Sequence, residues 1–180
     1  MSKKVLLLHG WGGSDYPHWQ SWLAGELAKD YGCVNFLRFS DVDEPKLDVW
    51  LREAKSALDE FRPDIVICHS LANTLWFHLC QKEELREVAK LYLVAPPSMQ
   101  CNIKELSEFF PLSTPQKLFA KETLLITSTD DPYLTQEEAK ELQNKLNVSM
   151  KVIQNGGHLN AESGYGEWPW MLSELKAFNS

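Results

Sequence analysis

Short apolar runs recur six times along this 180-residue chain, and that repetition is what most limits its fold. They are Val5–Leu8, Cys33–Phe39, Asp64–Cys68, Leu91–Ala95, Thr123–Thr127 and Val148–Ile153. Runs of this length, bounded by turn residues and without strict alternation, read as strands buried on both faces. Stretches of helical spacing lie between them. Trp19, Trp22, Leu23 and Leu27 mark one face, and Trp50, Leu51, Ala54, Leu58 and Phe61 a second; Leu71, Leu75, Trp76 and Leu79 mark a third. Thr135 and Glu138 spell a capping box opening a helix to about Leu146, and a last helix from Trp168 to Phe178 turns Leu172 and Leu175 inward. Strand–helix alternation predicts an α/β fold. About six parallel strands form one sheet with helices on both faces, a three-layer sandwich in a single domain over residues 1–180. The length suffices for a core without disulfides or metals.

Charge removes several classes of partner. A formal net charge of -7 argues against a nucleic-acid surface and against docking on anionic membranes. The apolar run after Lys3 and Lys4 is cut at His9, too short for a leader, and no stretch is long enough to span a bilayer. Cys33, Cys68, Cys80 and Cys101 form no C-x-x-C pair and read as reduced thiols, which predicts a cytoplasmic protein.

In open parallel sheets, sites form at the carboxyl ends of the strands. The first run delivers His9 and the loop Gly10-Trp11-Gly12-Gly13, the third Ser70, the fifth Asp130 and Asp131, and the sixth His158. Around Ser70 the pattern is strand, one-residue corner, helix, the shape of a nucleophile elbow. Its usual spelling, G-x-S-x-G, is replaced by Cys68-His69-Ser70-Leu71-Ala72. A serine hydroxyl needs a base to take its proton, and the base needs an orienting carboxylate. Ser70, an aspartate and His158 supply these in the order Ser…Asp…His; the residues alone leave Asp130 and Asp131 both open. The expected oxyanion donors are the backbone N–H groups of Leu71 and Trp11, with Gly12 as the alternative to Trp11. Cys68, inside the strand, reads as a buried, inert thiol. His69 reads as a structural hydrogen-bonding residue and His9 as a brace for the first loop. His18 and His78 read as core or surface histidines, and His78 with Cys80 makes a poor zinc pair, so no metal or cofactor is expected.

Several segments together resemble the small α/β-hydrolase family typified by retinoblastoma-binding protein 9 and its YdeN-like bacterial relatives. They are His9-Gly10-Trp11-Gly12-Gly13, His18-Trp19-Gln20-Ser21-Trp22, His69-Ser70-Leu71, Ser128-Thr129-Asp130-Asp131-Pro132-Tyr133-Leu134 and Gly156-Gly157-His158. The resemblance runs along nearly the whole chain and implies a minimal α/β-hydrolase fold. It implies Ser70 as nucleophile, His158 as general base and Asp131 as the acid, because the family's acid directly precedes the proline. In this fold the segment between the fourth and fifth strands, about 96–122, usually carries a lid, here a short one. A shallow apolar pocket is then expected from Met99, Phe109, Phe110 and Phe119, with Trp11 and His69 beside it.

The expected activity is metal-free hydrolysis of a small ester, thioester or amide, aminoacyl esters included, through an acyl-enzyme. The alternative is an interaction module on a hydrolase scaffold with weak or no turnover. No cysteine lies in an L-x-C-x-E motif of the kind that binds the retinoblastoma pocket. Nucleotide binding by Gly10-Trp11-Gly12-Gly13 is disfavoured, since the spacing is not G-x-G-x-x-G. Monomer and dimer both remain open.

Overall fold

In the computed structural model, which describes residues 3–29 and 32–179, the chain alternates strand and helix as the apolar pattern predicts. Met1 and Ser2, at the head of the run weighed as a leader, lie outside the described residues. The elements are β1 (Lys4–Leu8), α1 (Trp19–Lys29), β2 (Cys33–Leu37), α2 (Leu47–Phe61), β3 (Ile65–His69) and α3 (Leu71–Lys82). Then follow β4 (Val88–Val94), β5 (Ala120–Ser128), α4 (Gln136–Leu146), β6 (Ser149–Ile153) and α5 (Pro169–Asn179). All six strands pair in parallel in the order β2-β1-β3-β4-β5-β6. This is the α/β-hydrolase sheet in small form. The chain runs outward from β1 to β2, then returns to the other side of β1 for β3, so β1 and β3 flank the point where strand order reverses. Ligand sites in open sheets form at such a point.

Strand alternation divides the core. Leu6, Leu8, Val66, Cys68, Leu91 and Leu93 face α2, α3 and α4, where they meet Trp50, Ala54, Leu75, Trp76 and Leu142. Val5, Leu7, Ile65, Ile67, Tyr92 and Val94 face α1 and α5, meeting Trp19, Leu23, Met171 and Leu175. The inward residues of α5 are thus Met171 and Leu175; Leu172 is only partly buried.

Boundaries shift where polar contacts outweigh hydrophobic pattern. β2 stops at Leu37 because the Phe39 N–H leaves the ladder to donate to His9 Nε2 at 3.0 Å. β4 and β5 begin earlier than their apolar runs, at Val88 and Ala120, and Lys90 pairs Glu122 across them at 2.9 Å. The predicted capping box is present on α4: the Glu138 N–H donates to Thr135 Oγ1 at 3.2 Å and the Thr135 N–H to Glu138 Oε2 at 2.9 Å.

The segment between β4 and β5 corrects an expectation. Phe109, Phe110 and Phe119 are 0%, 7% and 4% exposed and belong to the core on the α2–α3 side, so they do not line an open pocket. Side chains of α3 hold this segment by its carbonyls. Trp76 Nε1–H donates to Leu118 O at 3.1 Å, His78 Nε2–H to Phe109 O at 3.0 Å, and Gln81 Nε2–H to Ser113 O at 2.7 Å. Its aromatics fill the gap between sheet and helices, which periodicity cannot reveal in a stretch without regular structure. Met99 is partly buried and lines a groove of about 690 Å3 with Ser98, Leu112, Leu134 and Leu142. No helix among the described residues is long and apolar enough to cross a membrane.

Candidate active site

Ser70 sits between β3 and α3 with φ 54° and ψ -123°, a conformation that costs an L-residue about 1–3 kcal/mol. Hydrogen bonds to β4 and from α3 hold it there. The Ser70 N–H donates to Val94 O at 3.0 Å; Asn73 Nδ2 donates to Ser70 O at 2.8 Å and to Val94 O at 2.9 Å. Asn73 is fully buried one turn into α3 and ties the corner to β4. The one signal in the sequence was a polar residue early in a helix that is otherwise mostly apolar up to Leu79.

The altered spelling of the elbow has a structural answer. Cys68 is fully buried on the α3 face of β3, pointing away from the corner, and burial pushes its thiol pKa well above the ordinary value. It is inert. The close approach falls on the neighbouring strand end instead. A Cβ on Gly10 would lie 2.7 Å from Ser70 Cβ and 3.2 Å from Ser70 Oγ, so Gly10 is the glycine this corner requires.

A continuous hydrogen-bond chain runs from Ser70. His158 Nε2 lies 2.8 Å from Ser70 Oγ, and His158 Nδ1 lies 3.0 Å from both Asp131 carboxylate oxygens. A carboxylate only accepts, so Nδ1 carries the hydrogen and Nε2 is free to accept from the serine hydroxyl. Asp131 Oδ1 also accepts the Tyr133 N–H at 2.9 Å, and the Tyr133 ring packs edgewise on His158, centroids 4.6 Å apart. The side chains of His158 and Asp131 are 9% and 1% exposed.

The two aspartates differ in their partners. Asp130 Oδ1 accepts from Ser128 Oγ and from the Gly157 N–H, each at 2.7 Å, and these bonds hold its pKa below the usual carboxylate value. Ser128 Oγ in turn accepts the Gly156 N–H at 2.8 Å. Asp130 therefore fastens the loop after β5 to the loop after β6. Gly157, at φ 55°, leaves no room for a side chain: a Cβ there would lie 2.4 Å from Ser163 Oγ.

Two backbone N–H groups close in sequence to the corner or to Gly10 have no protein partner among the described residues. Leu71 is the first residue of α3, where helix geometry leaves the N–H unpaired and the dipole favours negative charge. The Trp11 N–H makes no hydrogen bond among the described residues, while its Nε1–H donates to Asp43 O at 2.9 Å. Gly12 is not an equivalent donor, because its N–H is spent on Val42 O at 2.9 Å. His9 braces this loop as expected: Nδ1–H donates to Gly10 O at 2.8 Å and Nε2 accepts from Phe39.

The other histidines bond to main-chain groups. His69 Nε2–H donates to His158 O at 3.1 Å. His18 is buried, accepts the Gln20 N–H at Nδ1, and is pushed down to about 4, chiefly by burial and then by His158 and His9. Trp19 is core, its Nε1–H bonded to Leu159 O at 2.8 Å, whereas Trp11 is 39% exposed at the edge of the site. Of the residues expected at a pocket, Trp11 and His69 lie beside the corner, Met99 faces the groove, and Phe109 and Phe110 are interior.

The sequence model of a family described as serine hydrolase matches residues 5–177. YdeN of Bacillus subtilis is 25% identical over 186 aligned positions, which cover 100% of this chain and 98% of the relative. Its crystal structure superposes with a TM-score of 0.87 at 23% identity, covering 98% of each chain. A YdeN-like hydrolase from Pectobacterium atrosepticum gives 0.78 at 25% identity over 99% of this chain and 91% of the other. An esterase domain from Rhodothermus marinus gives 0.67 at 15% identity over 98% and 85%, a likeness of fold.

Proposed function

The chain belongs to the serine hydrolase family, and from that premise we propose that it cleaves a small ester, thioester or amide through an acyl-enzyme on Ser70. Ser70 Oγ attacks the carbonyl carbon as His158 Nε2 takes the hydroxyl proton. Asp131 holds His158 in the Nδ1–H tautomer and offsets the charge of the imidazolium. The negative oxygen of the tetrahedral intermediate is stabilised by the N–H groups of Leu71 and Trp11. His158 then returns the proton to the departing alcohol, thiol or amine, and water repeats the sequence on the acyl-enzyme.

The observation that carries this reading is the unbroken chain of hydrogen bonds from Ser70 through His158 to Asp131. The net charge of -7 favours a small acyl compound over nucleic acid, and a cytoplasmic setting accords with Cys33, Cys68, Cys80 and Cys101 all being free thiols. Steady-state turnover of p-nitrophenyl acetate and propionate tests the proposal. Measurable kcat in the wild type, lost in His158→Ala, is expected. A folded wild type with no turnover on these esters or on an aminoacyl-ester panel would favour the binding-scaffold reading.

A further inference from the structure

Outside the Ser70–His158–Asp131 chain, one buried contact joins the nucleophile's own strand to the base. His69 Nε2 lies 3.1 Å from the His158 carbonyl. A carbonyl only accepts, so this nitrogen carries the hydrogen. Strand alternation sends Cys68 to the α3 side, His69 to the α1 side, and Ser70 to the corner. Two consecutive residues therefore grip two parts of a third. Ser70 Oγ meets the His158 ring at 2.8 Å, and His69 meets the His158 main chain at 3.1 Å.

The ring that makes this contact is itself fixed. It is 3% exposed, stands edge-on to Trp19 with centroids 5.7 Å apart, and packs against His18 at 4.8 Å. Burial, then His18 and His158, hold its pKa well below the ordinary value, so it stays neutral. The other anchors of His158 come from the β5 and β6 loops: Asp131 at the ring, and Ser163 Oγ, which accepts its N–H at 3.1 Å. Neither refers the base to β3.

We propose that His69 is a positioning residue, whose Nε2–H, clamped by the first turn of α1, sets the main chain of His158 so that the base keeps register with the Ser70 hydroxyl. This rests on the reading of Ser70 and His158 as nucleophile and base. Misplacing a reacting group by about 1 Å can cost on the order of 100-fold in rate.

Three substitutions separate positioning from packing. His69→Gln puts an amide N–H where Nε2 was, His69→Asn puts it nearer the main chain, and His69→Met fills space without a donor. For a short ester, His69→Met and His69→Asn are expected to lower kcat about 10- to 100-fold with KM within about twofold, while His69→Gln stays within about fivefold of wild type. The downfield Nδ1–H proton resonance of His158 should persist in His69→Gln and broaden in the other two. Thermal unfolding of all three is the control. Equal loss in His69→Gln and His69→Met, or activity ordered only by thermal stability, overturns the inference alone. Should His69→Met fail to fold, the Gln and Asn pair carries the same comparison. Wild-type turnover must itself disappear in Ser70→Ala; if it survives there, the reading beneath fails and the inference with it.

Discussion

The loops that carry Ser70, Asp131 and His158 and the long segment between β4 and β5 start from the same edge of the sheet, yet they are fixed by opposite means. The first group is held by directed polar bonds: Asn73 to Ser70 and Val94, Asp130 to Ser128 and Gly157, His69 to His158. The second is held by burying Phe109, Phe110 and Phe119 in the core, with three α3 side chains bonded to its carbonyls. Irregular backbone alone therefore says little about function. What distinguishes the first group is that its polar side chains fix the main chain that carries Ser70 and His158, at a corner where Ser70 has φ 54°.

If this contrast is right, damage to the two regions separates activity from stability. The sharpest case is within the polar group. Asp131→Asn should reduce kcat on short esters about 10³- to 10⁴-fold with little change in unfolding temperature, since it reverses the tautomer of His158. Asp130→Asn should instead lower the unfolding temperature, with kcat reduced less than about tenfold. Equal losses of kcat would erase the distinction between the neighbours.

The opposite prediction applies to the apolar segment. Phe109→Ala removes a fully buried ring that packs on Trp50 and His78, and should cost about 3–5 kcal/mol in denaturant unfolding. Activity per folded molecule should stay within about threefold. A selective fall in kcat with stability intact would return Phe109 to the substrate side.

A smaller effect comes from acid. His18 is pushed down to about 4 in the folded chain from 6.5, and His69 is lowered as well, both chiefly by burial. Between pH 6.5 and 4 the unfolded chain binds protons that the folded chain does not, so stability is present above that window and is lost as pH falls through it. Chemical denaturation at pH 7 and pH 5 should give a lower midpoint at pH 5, and His18→Gln should flatten the difference. An unchanged midpoint would mean these rings titrate normally.

Most of the sheet was legible because its strands are buried on both faces and announce themselves as apolar runs; α2 even ends at Phe61, the last residue of the face that spacing marked. Ser70 and His158, which the structure brings within 2.8 Å of each other, were legible because both follow strand ends in a set order. Three things were not. The choice between adjacent aspartates depends on which side chain turns toward His158. Gly10 matters through a close approach to Ser70 made from another strand end, which no local spelling around Ser70 reveals. Phe109 and Phe110 look like pocket residues in a segment without periodicity, and only packing shows them to be core.

The central claim is that Ser70 is the activated nucleophile. Labelling with a fluorophosphonate probe, followed by mass spectrometry of the modified peptide, tests it most directly. The expected result is stoichiometric modification at Ser70 in the wild type, none in Ser70→Ala, and at least about 100-fold slower labelling in His158→Ala. Equal labelling of the wild type and Ser70→Ala, or modification mapped to another residue, would contradict it.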